Sequence, residues 1–494
     1  MSLISVNNLT FGYDGSLKNI FENVSFNIDT DWKLGLIGRN GKGKTTFLKL
    51  LLGKYEYQGA ISKNVEFDYF PFEVKNKERM AIEIVNEIAP NVEDWEIIRE
   101  LNLLNTDTEV LYRSFNLLSG GEQIKILLIS LFLKGNNFLL IDEPTNHLDI
   151  ETRNNLVNYL EKKKGFILVS HDRNFLDKVV NHIISINNTN IEIQQGNFSS
   201  WKENKNRQDN FEKIQNERLQ KDINRLEIAS KNCAKWSNEA EKTKNKKYNS
   251  ETTIDKGYIG HKADKMMKKS KVMEQRIEKA INEKTNLLKN IEVNDTLKII
   301  PLKSNKNPLI FSLYLQIKYS KETIFNPITF EVNNGDRVAL IGKNGIGKSS
   351  ILKLILGEEL QYNGEFMVAN DLKISYVSQS TEDLKGNLRT FAYDNKINES
   401  IFKAMLVKMG LSQFDFDTNI QDMSEGQKKK VLIAKSISEQ ANIYIWDEPL
   451  NYIDILTREQ IEDAILNYNP TIIFVEHDEK FIEKVATKII NLVK

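Results

Sequence analysis

Two hydrophobic periods divide this chain. Apolar and polar residues first alternate as strands do and run into "KLGLIG" (33–38), a glycine-rich loop and an amphipathic helix. A helical middle follows, then short β-branched runs that end in acids or histidine, "FLLIDE" (138–143) and "FILVSH" (166–171). The succession restarts after residue 305 with "RVALIG" (337–342), "IYIWDE" (443–448) and "IIFVEH" (472–477). Strands alternating with helices in this way predict α/β domains with a mainly parallel sheet and ligands at the carboxyl ends of its strands.

The restart is an internal repeat. "GLIGRNGKGKTTFLKLLLG" (35–53) returns as "ALIGKNGIGKSSILKLILG" (339–357), and "FLLIDEPTNHLD" returns as "IYIWDEPLNYID". The offset is 304 at the first loop glycine, 305 at the helix-start serine and paired acids, and 306 at the histidine. Motifs in one order at nearly constant offset identify a tandem duplication, with halves at 1–198 and 305–494.

Between them, at 199–304, the period changes. Leu219, Ile223, Leu226, Ser230, Cys233, Ser237 and Ala240 recur at four- and three-residue spacing, as do Met266, Ser270, Met273, Ile277, Ala280, Lys284, Leu287 and Ile291. With no proline between Pro144 and Pro301, this predicts an antiparallel helical hairpin, its turn near 248–260 and its tip near 242–262.

Charge sharpens that division. Lys plus Arg and Asp plus Glu both total 68, yet residues 201–300 hold 24 basic against 16 acidic residues. A basic segment between acidic halves suits an anionic partner for that segment alone, although a charge run is more often a solvated helix face. Lys242, Lys244, Lys246 and Lys247 cluster toward the tip, and Tyr248 and Tyr258 add rings that can stack on unpaired bases. The single cysteine, Cys233, excludes a disulfide framework and a cysteine zinc site. The first residues lack a basic stretch followed by an apolar one, and the longest apolar runs fall well short of the ~20 residues of a membrane helix. A cytoplasmic protein without a secretory leader is expected.

Chemistry resides in the repeated motifs. Gly38, Asn40, Gly41, Gly43, Lys44, Thr45 and Thr46 form a G-x-x-x-x-G-K-[ST] loop, as do Gly342, Asn344, Gly345, Gly347, Lys348, Ser349 and Ser350. The glycines let backbone N–H groups face phosphate oxygens; Lys44 and Lys348 reach the terminal phosphates, and Thr45 and Ser349 suit Mg2+. Asp142 and Asp447 end strands where a carboxylate holds the Mg2+ shell, and Glu143 and Glu448 follow as general bases. His171 and His477 are placed to contact the terminal phosphate or the attacking water. Ser119 with Glu122, and Ser424 with Gln427, fit a capping box; beside Gly120, Gly121 and Gly426 such helix starts are also phosphate sites. Tyr13 and Tyr319 suit adenine stacking or strand packing.

These motifs resemble those of ATP-binding-cassette (ABC) ATPases. The resemblance implies two tandem ABC-type P-loop ATPase domains that meet head to tail over two ATP molecules, with ATP and Mg2+ as cofactors. One site would join Lys44, Thr45, Asp142, Glu143 and His171 to Ser424 and Gly426. The other would join Lys348, Ser349, Asp447, Glu448 and His477 to Ser119, Gly120 and Gly121. Gln379 in "YVSQ" matches the family's Gln loop, which contacts nucleotide and metal. Three departures stand out: Glu425 where the family has glycine, Phe72 at the first Gln-loop position, and "DEPLNYID" for "DEPTNHLD".

Two cassettes joined by a charged helical hairpin resemble the ABC-F translation ATPases. "DKGYIGHKADKMMKKSK" with "WDEPLNYID" resembles the Lsa-type antibiotic-resistance branch. For that branch the resemblance implies a monomer that binds the 70S ribosome at the exit site, near 23S rRNA and P-site tRNA. The hairpin tip would displace lincosamides, pleuromutilins and streptogramin A drugs from the peptidyl transferase centre; no membrane or DNA partner is expected. Two alternatives stay open: a housekeeping ABC-F translation factor, and the ATPase subunit of a transporter whose membrane parts are separate chains.

Overall fold

The computed structural model describes every residue except 1–2, 14–18, 136, 147, 188–189, 245–264, 266–267, 270, 274, 282–295 and 320–321. The chain forms two compact units. Met1–Trp201 and Asn294–Lys494 together make the first, and Lys202–Val293 makes the second.

In the first half a six-stranded sheet runs in the order Glu66–Phe70, Asn137–Asp142, Phe166–Val169, Lys33–Ile37, His182–Asn187 and Asn190–Gln195. Five strands pair in parallel and the last returns antiparallel. The second half repeats this as Ile374–Val377, Ile443–Asp447, Ile472–Val475, Arg337–Ile341 and Lys488–Asn491, all parallel. A smaller antiparallel sheet accompanies each half: Leu3–Phe11 pairs with Phe21–Asp29 and Gln58–Ser62, and Ile310–Tyr319 pairs with Ile328–Val332 and Gln361–Val368.

The near-continuous apolar strands follow from layers on both faces. Leu34, Leu36, Leu140 and Ile167 pack with Ile4 and Val6 of the small sheet and with Phe47 and Leu48 of the helix Lys44–Leu51. Leu139, Ile141, Phe166 and Leu168 face the other way, into helices that supply Ile97, Ile126, Leu156 and Phe175. Truncating a fully buried ring such as Phe47 to alanine would cost about 3–5 kcal/mol. The side-chain period of two thus sandwiches each sheet and leaves its strand ends to carry the polar motifs.

The second unit is helical. A 47-residue helix, Phe198–Lys244, supplies most of it, and the described residues between Lys265 and Ile281 are helical too. Leu226 shares a groove with Val272, Met273, Ile277 and Ala280, and both Ile223 and Ile277 are buried. The two helices therefore pack along the apolar positions read from the sequence. No helix among the described residues is long and apolar enough to cross a membrane.

Candidate nucleotide-binding sites

Each glycine-rich loop links a central strand to a helix start. Gly43 caps the helix Lys44–Leu51 at φ 93°, and a Cβ there would lie 2.6 Å from Ile20 Cγ2, so only glycine fits. The buried Lys44 ammonium folds back onto its own loop, donating to Gly38 O (2.7 Å) and Asn40 Oδ1 (3.1 Å). Lys348 does the same with Gly342 O (2.8 Å), Lys343 O (3.1 Å) and Asn344 Oδ1 (3.4 Å). Burial pushes both lysines below their ordinary pKa, opposed by nearby acids. Each ammonium is thus held within its own glycine-rich loop, a placement suited to phosphate. Tyr13 and Tyr319 flank these helices, their hydroxyls 2.9 Å from Thr46 Oγ1 and 3.1 Å from Ser350 Oγ, with rings about half exposed.

The acids occupy a sharp turn at the strand ends. Glu143 and Glu448 both take left-handed φ, 52° and 47°, fixed by backbone bonds to Val169 O and Val475 O (2.9 and 3.0 Å). Such a conformation is strained for a side-chain-bearing residue and holds the carboxylate at the strand tip. Asp142 Oδ2 accepts from Thr45 Oγ1 (3.3 Å) and Tyr69 OH (2.8 Å); Asp447 bonds Ser349.

The two turns then diverge. Burial raises Glu448, but His477, Gln379 and Asn451 outweigh it and hold the carboxyl down at about 2. Asn451 Nδ2 donates to it at 2.7 Å, while His477 Nε2 stands 3.7 Å away. Burial, with Asp142 beside it, pushes Glu143 up to about 8. His171 Nε2 lies 3.2 Å away, but no side chain among the described residues is aligned to hydrogen-bond Glu143. The cause is visible in sequence position: Phe72, where the second half has Gln379, packs into the helical core and offers no amide.

The halves meet at these loops. Asn40 Nδ2 donates to Tyr452 O (2.7 Å), and a Cβ on Gly426 would stand 2.8 Å from Asn40 Nδ2. The first phosphate loop therefore abuts the helix that Ser424 caps through Gln427 N (3.4 Å). On the other side Asn344 N approaches Asp149 Oδ2 (3.4 Å) and Lys343 pairs with Glu151 (2.8 Å). Among the described residues Gly120 has nothing within 4 Å of a built Cβ, and Gly121 meets only Leu148 and Thr152 of its own half. Ser119 caps that helix through a complete box with Glu122. Glu425 is turned to its own half, its carboxylate held by Thr381 Oγ1 (2.5 Å) and Lys428 Nζ (3.0 Å).

Several participants carry no motif of their own. Arg153 joins Asp172 (3.1 Å) to the backbone of His477 across the junction (3.1 Å), and Arg458 holds Asp478 (3.0 Å). Asp454, paired with buried Lys430 (2.8 Å), is the acid that acts most strongly on Lys44. Arg173 bonds Glu462 of the opposite half. In each half an arginine stands four places after the aspartate of "LD" or "ID", but nothing in the sequence marks it as buried. Of the tip residues, Lys242 and Lys244 close the long helix with side chains outside the described set, and Lys246, Lys247, Tyr248 and Tyr258 lie outside the described residues.

A family model described as "ABC transporter" matches residues 21–146 and 325–451. The chain is 30% identical to the ATP-binding protein Uup of Buchnera aphidicola subsp. Acyrthosiphon pisum, over 99% of this chain and 80% of that protein. It is 28% identical to the ribosome protection protein VmlR of Bacillus subtilis, over 96% of this chain and 84% of the relative. Similarity to ABC transporter F family member 2 of Arabidopsis thaliana spans 99% of this chain and 76% of that one, at 24% identity. In fold it is similar to an archaeal ribosome recycling factor, aABCE1, solved with stalk protein aP1 (TM-score 0.63, 19% identity, 98% of this chain and 87% of that one). The chain is an ATP-binding ATPase that belongs to the ABC family and, within it, to the ABC-F proteins.

Proposed function

We propose that this ABC-F ATPase is a ribosome protection protein of the Lsa type, acting on the 70S ribosome in the cytoplasm. ATP closes the halves, the protein engages the exit site beside 23S rRNA and P-site tRNA, and the hairpin tip clears lincosamides, pleuromutilins and streptogramin A drugs. Hydrolysis releases it. The observation that carries the reading is similarity to VmlR along nearly the whole chain, hairpin included. The basic excess of residues 201–300 supports it, because rRNA offers a dense phosphate surface.

Within each site the geometry supports the following roles. Lys44 and Lys348 grip the terminal phosphates, and Ser424 with Gly426, or Ser119 with Gly120 and Gly121, close from the opposite half. Mg2+ would be held by Thr45 with Asp142, and by Ser349 with Asp447 and Gln379: these are hard oxygen donors, and buried Asp447 Oδ1 has no hydrogen-bond partner among the described residues. Bound there, it would supply charge neutralisation for the phosphates. Glu143 and Glu448 accept the proton of the attacking water, and His171 and His477 orient the terminal phosphate.

Glu143→Gln with Glu448→Gln tests the cycle. The double variant is expected to accumulate on ribosomes with ATP; failure to co-sediment would sink the proposal. Expression in a sensitive host separates protection from a housekeeping role, since unchanged inhibitory concentrations for all three drug classes would favour the latter.

A further inference from the structure

Lys429 is a lysine in the core. It lies on the helix Glu425–Ser438, five residues past the cap Ser424, and is 2% exposed. Its Nζ donates to Ser378 O (2.9 Å) and Glu448 O (3.2 Å). Ser378 precedes Gln379, so one cation holds the turn of Gln379 and the turn of Glu448 together. The helix that carries it begins at the other ATP site, where Gly426 abuts Asn40.

A buried acid accompanies it. Glu476, 3% exposed, accepts from Leu450 N (2.7 Å) and His477 N (3.1 Å), linking the turn after Glu448 to the turn of His477. Among acids, Glu476 acts most strongly on Lys429, ahead of Glu448 and Asp447; Arg458 is the cation acting most strongly on Glu476. The first half has neither charge. Ile124 and Ser170 occupy the equivalent positions, and the neutral Ser170 Oγ meets Thr145 Oγ1 at 3.2 Å and accepts from Asp172 N at 3.1 Å, with no bond to the turn after Glu143 among the described residues. Unpaired charge is too costly to bury without partners, and here each charged group is tied to backbone that shapes one active site.

We infer that Lys429 and Glu476 are positioning residues that couple the Ser424–Gly426 helix end at the first ATP site to Glu448 and Gln379 at the second, in a wiring the first half lacks. This rests on the reading of Glu448 as general base. Closure of the first site shifts the helix, and Lys429 carries that shift to two backbone carbonyls 2.9 and 3.2 Å away. Both bonds go to these carbonyls and not to the glycine-rich loop of the second site.

A Glu143→Gln background confines turnover to the second site. There Lys429→Ile, the first half's residue, is expected to lower kcat on the order of tenfold or more with KM little changed, as misplacement of a reacting group does. Lys429→Arg restores part of the loss. Adding Glu476→Ser to Lys429→Ile recovers thermal stability but not kcat. Combining Lys429→Ile with Gly426→Asp slows turnover no further than the slower single variant; multiplying effects would overturn the coupling. A parental kcat in any folded variant lacking the lysine overturns the inference. So does a double swap that does not fold, since it would leave a packing role alone. Glu143→Gln with Glu448→Gln, run alongside, separates the two readings. Turnover persisting there overturns the assignment of Glu448, whereas turnover lost there and kept in Lys429→Ile overturns only the couple.

Discussion

The side-chain amide of Asn40 donates to the backbone carbonyl of Tyr452 at 2.7 Å, joining the first phosphate loop to the second half's "NYID" turn. Gly426 lies against both groups; a Cβ there would stand 2.7 Å from Tyr452 O. Gly426→Ala is therefore expected to lower steady-state ATPase activity on the order of 10²-fold, as removal of a transition-state donor does. Gly121→Ala should cost far less, because its built Cβ meets Leu148 and Thr152 at 3.5 Å, ordinary contact. Equal losses in the two variants would show that the tight packing at Gly426 has no functional weight.

Glu462 is fully buried and bonds Arg173 of the other half, with Lys484 at 3.0 Å. Glu462→Gln takes from the buried Arg173 guanidinium its hydrogen-bonded acid and leaves Asp478 4.0 Å away. Stability should fall by about 3 kcal/mol, since removing one partner of a buried pair leaves the other charge poorly compensated. Thermal unfolding of the whole chain reads the effect, and an unchanged melting temperature would contradict it.

The two proposed general bases differ in support. Glu448 is held by Asn451 and Gln379, with His477 Nε2 3.7 Å away, whereas Glu143 has only His171 nearby among the described residues, and out of alignment. Glu448→Gln is therefore expected to remove more turnover than Glu143→Gln, with a loss on the order of 10²-fold or greater. Single-turnover rates of the two variants at saturating ATP make the comparison. A larger loss for Glu143→Gln would reverse the order of the sites.

Glu476 supplies a pH prediction. Burial, only partly offset by Arg458, raises its pKa to about 7. The folded state then binds the proton more tightly than the unfolded chain, whose value is about 4.3. Stability is thus fully present below pH ~4.3 and declines as pH rises toward 7, by on the order of 3 kcal/mol in all. Glu476→Gln keeps an acceptor for Leu450 N and removes the titration. Its melting temperature relative to the parent should rise between pH 5 and pH 8; a flat difference would show that Glu476 is ionised throughout.

Much of the site was legible because it is local. The glycine-rich loops, strand-end acids and capping boxes each lie within a few consecutive residues, and backbone chemistry fixes their geometry wherever they occur. Gly43 at φ 93° and the Ser119–Glu122 box follow from residue type alone. Arg153, Arg458 and Glu462 were not legible. Their meaning comes from partners across the junction or far along the chain, and arginine on a helix reads as a solvated face until something buries it. Glu425 stands where the family has glycine, and only its bonds to Thr381 and Lys428 show that the carboxylate is turned toward its own half.

By itself the sequence determined the duplication, the strand-and-helix succession and the glycine-rich loops proposed to grip phosphate, because periodicity and short motifs encode local backbone. Tertiary structure alone decided that Asn40 reaches Tyr452, that Gly426 rather than Gly121 is pressed against a phosphate loop, and that Glu448 is held by two amides while Glu143 has none. These depend on how two similar halves pack, and near-identical motifs acquire unequal surroundings once Phe72, Lys429 and Glu476 replace their counterparts. Burial then turns those replacements into charge and hydrogen-bond differences that no linear spacing records.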